Sequence, residues 1–190
     1  MYLPFDGHYL NMVTSTEVTV VGSPGFAAGK VNDAYAGAAD SYITIPPCGV
    51  LVSEISVAFW YKINAVPDRS GILQMSTDAE DRTKGLRLFR ENLDADNQKI
   101  GLNFGIGTAE VWINPFDTVP NEQDWMHIAI TISTNHTVIY VDGAIVKEQD
   151  NEGAIDWTGC DPISIASGAP DFIYWQHYSD NSLYDEMHFF

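Results

Sequence analysis

Asp142-Gly143 stands between two apolar runs in VIYVDGAIVKE, and few dipeptides restrict a chain so tightly. A two-residue turn joining antiparallel strands needs positive φ at its centre, which Asp and Gly supply at low cost. The hairpin this predicts, His136–Val141 with Ala144–Lys147, is one of a long series. Short runs rich in Val, Ile, Thr, Tyr and Phe recur along the chain, separated by clusters of Gly, Pro, Asn and Asp. They place further strands at Glu17–Val21, Ser41–Ile45, Ile55–Ile63, Gly71–Gln74, Leu86–Phe89, Lys99–Ile106, Glu110–Ile113, Met126–Ser133, Ile163–Ala166 and Leu183–Phe190. Helical periodicity is almost absent, so the pattern predicts an all-β, antiparallel two-sheet sandwich rather than alternating strand and helix units.

Two of these runs indicate how the sheets are buried. In HIAITIS, Ile128, Ile130 and Ile132 share one face while His127, Ala129 and Thr131 share the other, because strand side chains alternate. ISVAFWYKI is apolar on both parities through its centre, as expected of a strand covered on both sides or with a shielded outer face. Trp60 and Trp125, on or beside such strands, are expected in the core. With 190 residues, 45% of them apolar, the chain can bury a full core as one domain over 1–190. No linker, repeat or composition shift divides it.

Charge excludes some partners. Lys and Arg number 9 against 26 Asp and Glu, a net charge of −17, which repels phosphate backbones and argues against nucleic acid. No run approaches the roughly 20 apolar residues needed to cross a bilayer, so this domain is not expected to insert into a membrane. The sequence stops within the apolar run DEMHFF, without a terminating turn, and we expect either a segment of a longer chain or a missing tail, which leaves room for a secretion signal outside these residues. Cys48 and Cys160 are too few for a disulfide scaffold or a four-cysteine zinc site; they form one bridge or remain two thiols.

The order of LPFDG, YAGAADSYITIP, SVAFWYK, DWMHIAITIS, VIYVDGAIV and SLYDEMHFF resembles that of laminin-G-like jelly rolls of the concanavalin A-like lectin/glucanase superfamily. The resemblance runs over essentially the whole chain, and is nearest to domains of secreted and surface proteins of carbohydrate-using bacteria. It implies a jelly roll and an extracellular or cell-surface location. It also implies one structural calcium near the paired terminal strands, held by an acidic residue early in the chain and another before the last strand. The matching positions are Asp6 and Asp185, with Asp180 a third candidate; calcium takes six to eight oxygens, so carbonyls and water would complete the set.

The superfamily includes glucanases whose catalytic strand reads Glu-x-Asp-x-Glu, and Glu148-Gln149-Asp150-Asn151-Glu152 matches that spelling. Retaining hydrolysis needs a carboxylate pair about 5–5.5 Å apart, which i, i+2, i+4 spacing on a strand permits. Against it, the intervening residues are polar, the segment runs into a Gly turn, and nothing supplies the desolvation that raises a general acid's pKa. A solvated acidic loop is the expectation, with no catalytic residues.

Between Pro170 and Asn181 the chain reads PDFIYWQHYSDN. Sugar rings stack their C–H faces on aromatic rings while amides, carboxylates and imidazoles bond their hydroxyls. Tyr174, Trp175, His177 and Tyr178, with Trp112 and Arg90 from neighbouring strands, therefore form the candidate carbohydrate surface; alternatively these aromatics tie the loop to the sandwich. The function expected is a non-catalytic binding or adhesion module for a glycan. The alternative is a structural or protein-interaction domain contacting other domains of the same surface protein.

Overall fold

The computed structural model describes residues 1–64, 68–77, 81–121 and 124–190. Fifteen strands lie among them: β1 (Tyr2–Leu3), β2 (Thr19–Val21), β3 (Gly25–Ala28), β4 (Asp33–Ala36), β5 (Tyr42–Ile45), β6 (Ile55–Lys62), β7 (Arg69–Met75), β8 (Leu86–Asn92), β9 (Asn97–Gly105), β10 (Glu110–Pro120), β11 (Met126–Ile132), β12 (His136–Val141), β13 (Ala144–Asp150), β14 (Ile163–Ile165) and β15 (Leu183–Phe189). They form two antiparallel sheets. The first runs β13-β12-β11-β6-β15-β4-β3 with β1 added on β15, and the second runs β10-β9-β8-β7-β14-β5-β2. No helix among the described residues is long and apolar enough to cross a membrane.

Alternation builds the core. Ile55, Val57, Phe59 and Tyr61 on β6 and Met126, Ile128, Ile130 and Ile132 on β11 face Leu86 and Leu88 of β8 and Ile100, Leu102 and Phe104 of β9, all fully buried or nearly so. Burying each large apolar side chain contributes about 1.5–3 kcal/mol. The hairpin between β12 and β13 turns as expected, with φ of 49° at Asp142 and 79° at Gly143. Asp142 also accepts the His127 amide at 2.8 Å, tying the turn to β11.

The outer face of β6 is shielded rather than buried. Trp60 is half-buried there, with the Lys30 ammonium 4.5 Å from its ring centre and His127 edge-on at 5.0 Å. Trp125 is half-buried as well, so neither tryptophan belongs to the core: Trp60 shares its parity with Ser56 and Lys62. Cys48 is exposed and Cys160 buried, both as free thiols.

Strands β1, β3 and β4 escaped the sequence reading. They run two to four residues, and GFAA and DAYA carry little β-propensity. Pairing makes them strands: β15 holds β4 through Leu183↔Ala36 and Tyr184↔Tyr35 and β1 through Tyr2↔His188.

Candidate functional site

The loop between β14 and β15 lies across the outer face of the second sheet. Beneath it Ser164, Gln74, Arg87 and Asn103 form one cross-strand row that ends at Trp112 on the edge strand β10. The first four are buried although polar. Phe172 caps them, with the Arg87 guanidinium 5.8 Å from its ring centre. Arg87 donates to the carbonyls of Lys84 and Asp81, each at 3.0 Å, and to Asn103 Oδ1 at 3.2 Å; burial lowers its pKa.

Backbone contacts pin this loop. Gly168 N–H donates to the His177 carbonyl at 3.0 Å and Gly71 N–H to the Tyr178 carbonyl at 3.0 Å. A Cβ on Gly168 would lie 2.1 Å from the Phe172 carbonyl and 2.3 Å from that of His177, so only glycine fits. Phe172 and His177 stack at 4.5 Å, and both pack on Phe89. His177 is fully buried, with Nε2 3.2 Å from Glu91 Oε1.

The rim of this cluster holds the candidate site. Trp112 stacks on Trp175 with ring centres 5.1 Å apart, and it remains 38% exposed. Its indole N–H donates to Glu110 Oε2 at 2.7 Å, while Arg82 Nε stands 2.7 Å from Glu110 Oε1. The Arg82 guanidinium also lies 5.3 Å from the Trp175 ring centre. Asp81, Arg82, Thr83, Glu110 and Trp112 line an open depression of about 450 Å³. Asp81 accepts the Thr83 hydroxyl at 2.6 Å and pairs with Lys84 at 3.0 Å.

The structure thus gathers Trp112, Trp175, Tyr174 and His177 but separates their roles. His177 anchors the loop inside; Trp175 is half-buried between its neighbours; Tyr178 is exposed farther along. Arg90 corrects the sequence reading. It points between the sheets, donating to Asp180 Oδ1 at 2.6 Å, Tyr61 at 3.0 Å and Gln98 at 2.9 Å. Its parity with Leu86 and Leu88 explains why.

Asp180 is likewise not placed to bind a metal. It is fully buried, and its oxygens accept from Arg90, the Tyr61 and Tyr184 hydroxyls at 2.6 and 2.7 Å, and Ser182 at 2.7 Å. Burial would raise its pKa, but the Arg90 charge and these donors outweigh that and hold it below the ordinary carboxylate value.

Asp6 and Asp185 do meet, through one loop. Asp6 accepts from the Asn32 side chain at 3.2 Å and the Asp33 amide at 3.3 Å, and Asp185 Oδ2 accepts the Val31 amide at 2.8 Å. A bulge in β15, with Glu186 at φ 50°, re-aims Asp185 toward that loop. A Cβ on Gly29 would come within 2.7 Å of Asp185 Oδ2. Asp185 is buried with no well-formed hydrogen bond to Oδ1, and burial pushes its pKa up. An orphaned buried carboxylate oxygen fits a cation. Among the described residues no three His, Cys, Asp or Glu side chains converge, so carbonyls and water would have to complete the shell.

Glu148 and Asp150 stand largely in solvent on the edge strand β13, flanking His136, whose ring nitrogens are 3.9 Å from Glu148 and 2.8 Å from Asp150. Glu152 follows, exposed, in a bend. None has the desolvation expected of a raised general acid.

The pKa shifts give a testable acid response. The His177 ring, then Lys99 and Arg69, lower Glu91 from 4.5 to about 2, and burial lowers His177 from 6.5. Both folded values lie below the unfolded ones. Their stabilisation is therefore complete above about pH 6.5 and falls away on acidification, the Glu91 share between about pH 4.5 and 2. Acid unfolding of Glu91→Gln should show a flatter decline below pH 4.5 than the parent; identical acid limbs would contradict this.

Two antiparallel sheets in this order define the class: a jelly-roll β-sandwich. The chain belongs to the laminin-G-type family of the concanavalin A-like lectin/glucanases superfamily, whose profile matches residues 37–190. No curated protein matches the chain. Among solved structures it is similar to domain 4 of AbnA, an extracellular arabinanase from Geobacillus stearothermophilus in complex with arabinotriose, at 18% identity and TM-score 0.71 over 99% of this chain and 89% of that one. The binding domain of botulinum neurotoxin DC in complex with SialylT follows at 11% identity and TM-score 0.62, covering 100% of this chain and 46% of that one. A native heptameric SAP-like pentraxin from Limulus polyphemus has 14% identity and TM-score 0.51, covering 73% and 64%.

Proposed function

We propose that the chain is an extracellular, non-catalytic glycan-binding module whose sugar platform is Trp112. The observation that carries this is the half-exposed Trp112 ring, fixed by Glu110 above a depression that also offers the Arg82 guanidinium and the Asp81 carboxylate. A flat apolar face with a donor and an acceptor beside it is what a sugar ring requires. The likeness to an arabinanase domain bound to arabinotriose over most of both chains supports it. Glu148 and Asp150, in solvent, support a role without hydrolysis.

We further propose one structural calcium held by Asp6, Asp185 and carbonyls of the loop at 29–33. When bound, it would neutralise the buried Asp185 carboxylate and tie the start of the chain to its last strand. Against the glycan reading stands a protein-contact reading, favoured by exposed Val20 and Phe26 on the open edge strands β2 and β3.

Affinity electrophoresis through a panel of polysaccharides separates the two. Trp112→Ala should lose at least about tenfold in retention, as expected of an interface hot spot, with a stability loss of about 1–2 kcal/mol from the stack on Trp175. Trp175→Ala should lose retention and on the order of 2 kcal/mol of stability, because it holds the loop. No retention on any polysaccharide would favour the protein-contact reading.

A further inference from the structure

We infer that the depression beside Trp112 takes an uncharged glycan, excluding uronates and sulfated or sialylated chains; this rests on the glycan-binding reading. The lining decides it. Among the described residues it holds two carboxylates, Asp81 and Glu110, and one guanidinium, Arg82. The charges are already matched: Arg82 Nε is 2.7 Å from Glu110 Oε1, and Lys84 Nζ is 3.0 Å from Asp81 Oδ2. Of the other described cations on this face, Arg87 is fully buried under Phe172, while Arg69, which also donates to the Trp175 carbonyl at 3.1 Å, and Lys99 both pair with Glu91, at 3.6 and 2.9 Å.

An anionic sugar would have to displace Glu110 from Arg82. That would also release the indole N–H of Trp112, which Glu110 holds at 2.7 Å, and so disturb the platform itself. The anion would meanwhile approach Asp81, on a chain of net charge −17. A neutral sugar breaks nothing. Its hydroxyls donate to the spare lone pairs of Asp81, whose side chain is 37% exposed, and accept from the terminal nitrogens of Arg82, 43% exposed. Carboxylate oxygens and guanidinium nitrogens each retain such capacity after one ion pair. Glu110 is then a positioning residue that orients both platform and donor.

The test is retention of the whole chain, with calcium and again with EDTA, on neutral arabinan, xylan and mixed-linkage glucan and on acidic polygalacturonate, alginate and heparin. At least one neutral polymer should retain it, with less than about a twofold change between about 0.05 and 0.5 M salt, since no counterions are released. Trp112→Ala should weaken that retention at least about tenfold. Arg82→Gln, which keeps an amide donor without the charge, should weaken it less than about tenfold. Retention on acidic polymers in preference to every neutral one, released by salt, would overturn the inference and leave glycan binding standing. Neutral retention unchanged in Trp112→Ala would overturn it by placing the site elsewhere. No retention on any polymer would remove the glycan reading itself.

Discussion

Asp180→Ala should destabilise the fold by about 3–5 kcal/mol, the cost of stripping a buried ion pair of one partner. Arg90 and Asp180 are both fully buried, 2.6 Å apart, between the two sheets. The substitution leaves the Arg90 charge in the sandwich and takes the acceptor from the Tyr61 and Tyr184 hydroxyls. Domains of this kind have about 5–15 kcal/mol in all, so the loss should be plain as a lower urea midpoint. Asp180→Asn, which keeps acceptor oxygen but no charge, should fall between the two. A double substitution, Arg90→Met with Asp180→Leu, should recover part of the loss, because removing both charges removes the desolvation penalty. A change under about 1 kcal/mol for Asp180→Ala would mean that water or another group takes over the pairing.

Calcium should raise the melting temperature by about 5–10 °C when free calcium is about 100 times its dissociation constant. The linkage is worth about 2.7 kcal/mol there, and a chain of this length gains about 2–4 °C per kcal/mol. Asp185→Asn should abolish the shift. In chelator it should be at least as stable as the parent near neutral pH, since it replaces a buried carboxylate by a neutral amide. The pH dependence has the opposite sign to that of Glu91. The folded pKa of Asp185 is raised by burial, so ionisation penalises the folded state above that value. The penalty is relieved as pH falls through it toward the unfolded value near 3.9. Scanning calorimetry of both proteins, with calcium and with EDTA, reads all of this. A full calcium shift in Asp185→Asn would place the ion elsewhere, and no shift in the parent would remove it.

How much of this could be read from the sequence depends on whether each interaction is local. The Asp142-Gly143 hairpin and the strands β6, β8, β9, β11 and β12 were legible because turn chemistry and alternation act over a few residues. Alternation, applied throughout, also carries Arg90 inward with Leu86 and Leu88, Trp60 outward with Ser56, and Glu110 onto the face of Trp112. What it cannot supply is the company these residues keep. Arg82 reaches Glu110 from a loop, and Asp180 meets Arg90 across 90 positions; neither pairing leaves a periodic trace. Strands β1, β3 and β4 exist through their partners. Family resemblance led to Asp6 and Asp185, but the bulge at Glu186 that turns Asp185 onto the loop is a tertiary feature.

The most direct measurement is the shift of the five tryptophan indole N–H resonances when a retained oligosaccharide is titrated in. The five tryptophans report from separate places: Trp112 and Trp175 at the depression, Trp60 on the outer face of the first sheet, Trp125 before β11, and Trp157 bonded to the Val52 carbonyl at 2.9 Å. Binding at the depression predicts that Trp112 moves most, Trp175 follows, and Trp60, Trp125 and Trp157 stay in place. Movement of Trp60 with Trp112 unmoved would contradict it, and would put the ligand on the opposite sheet.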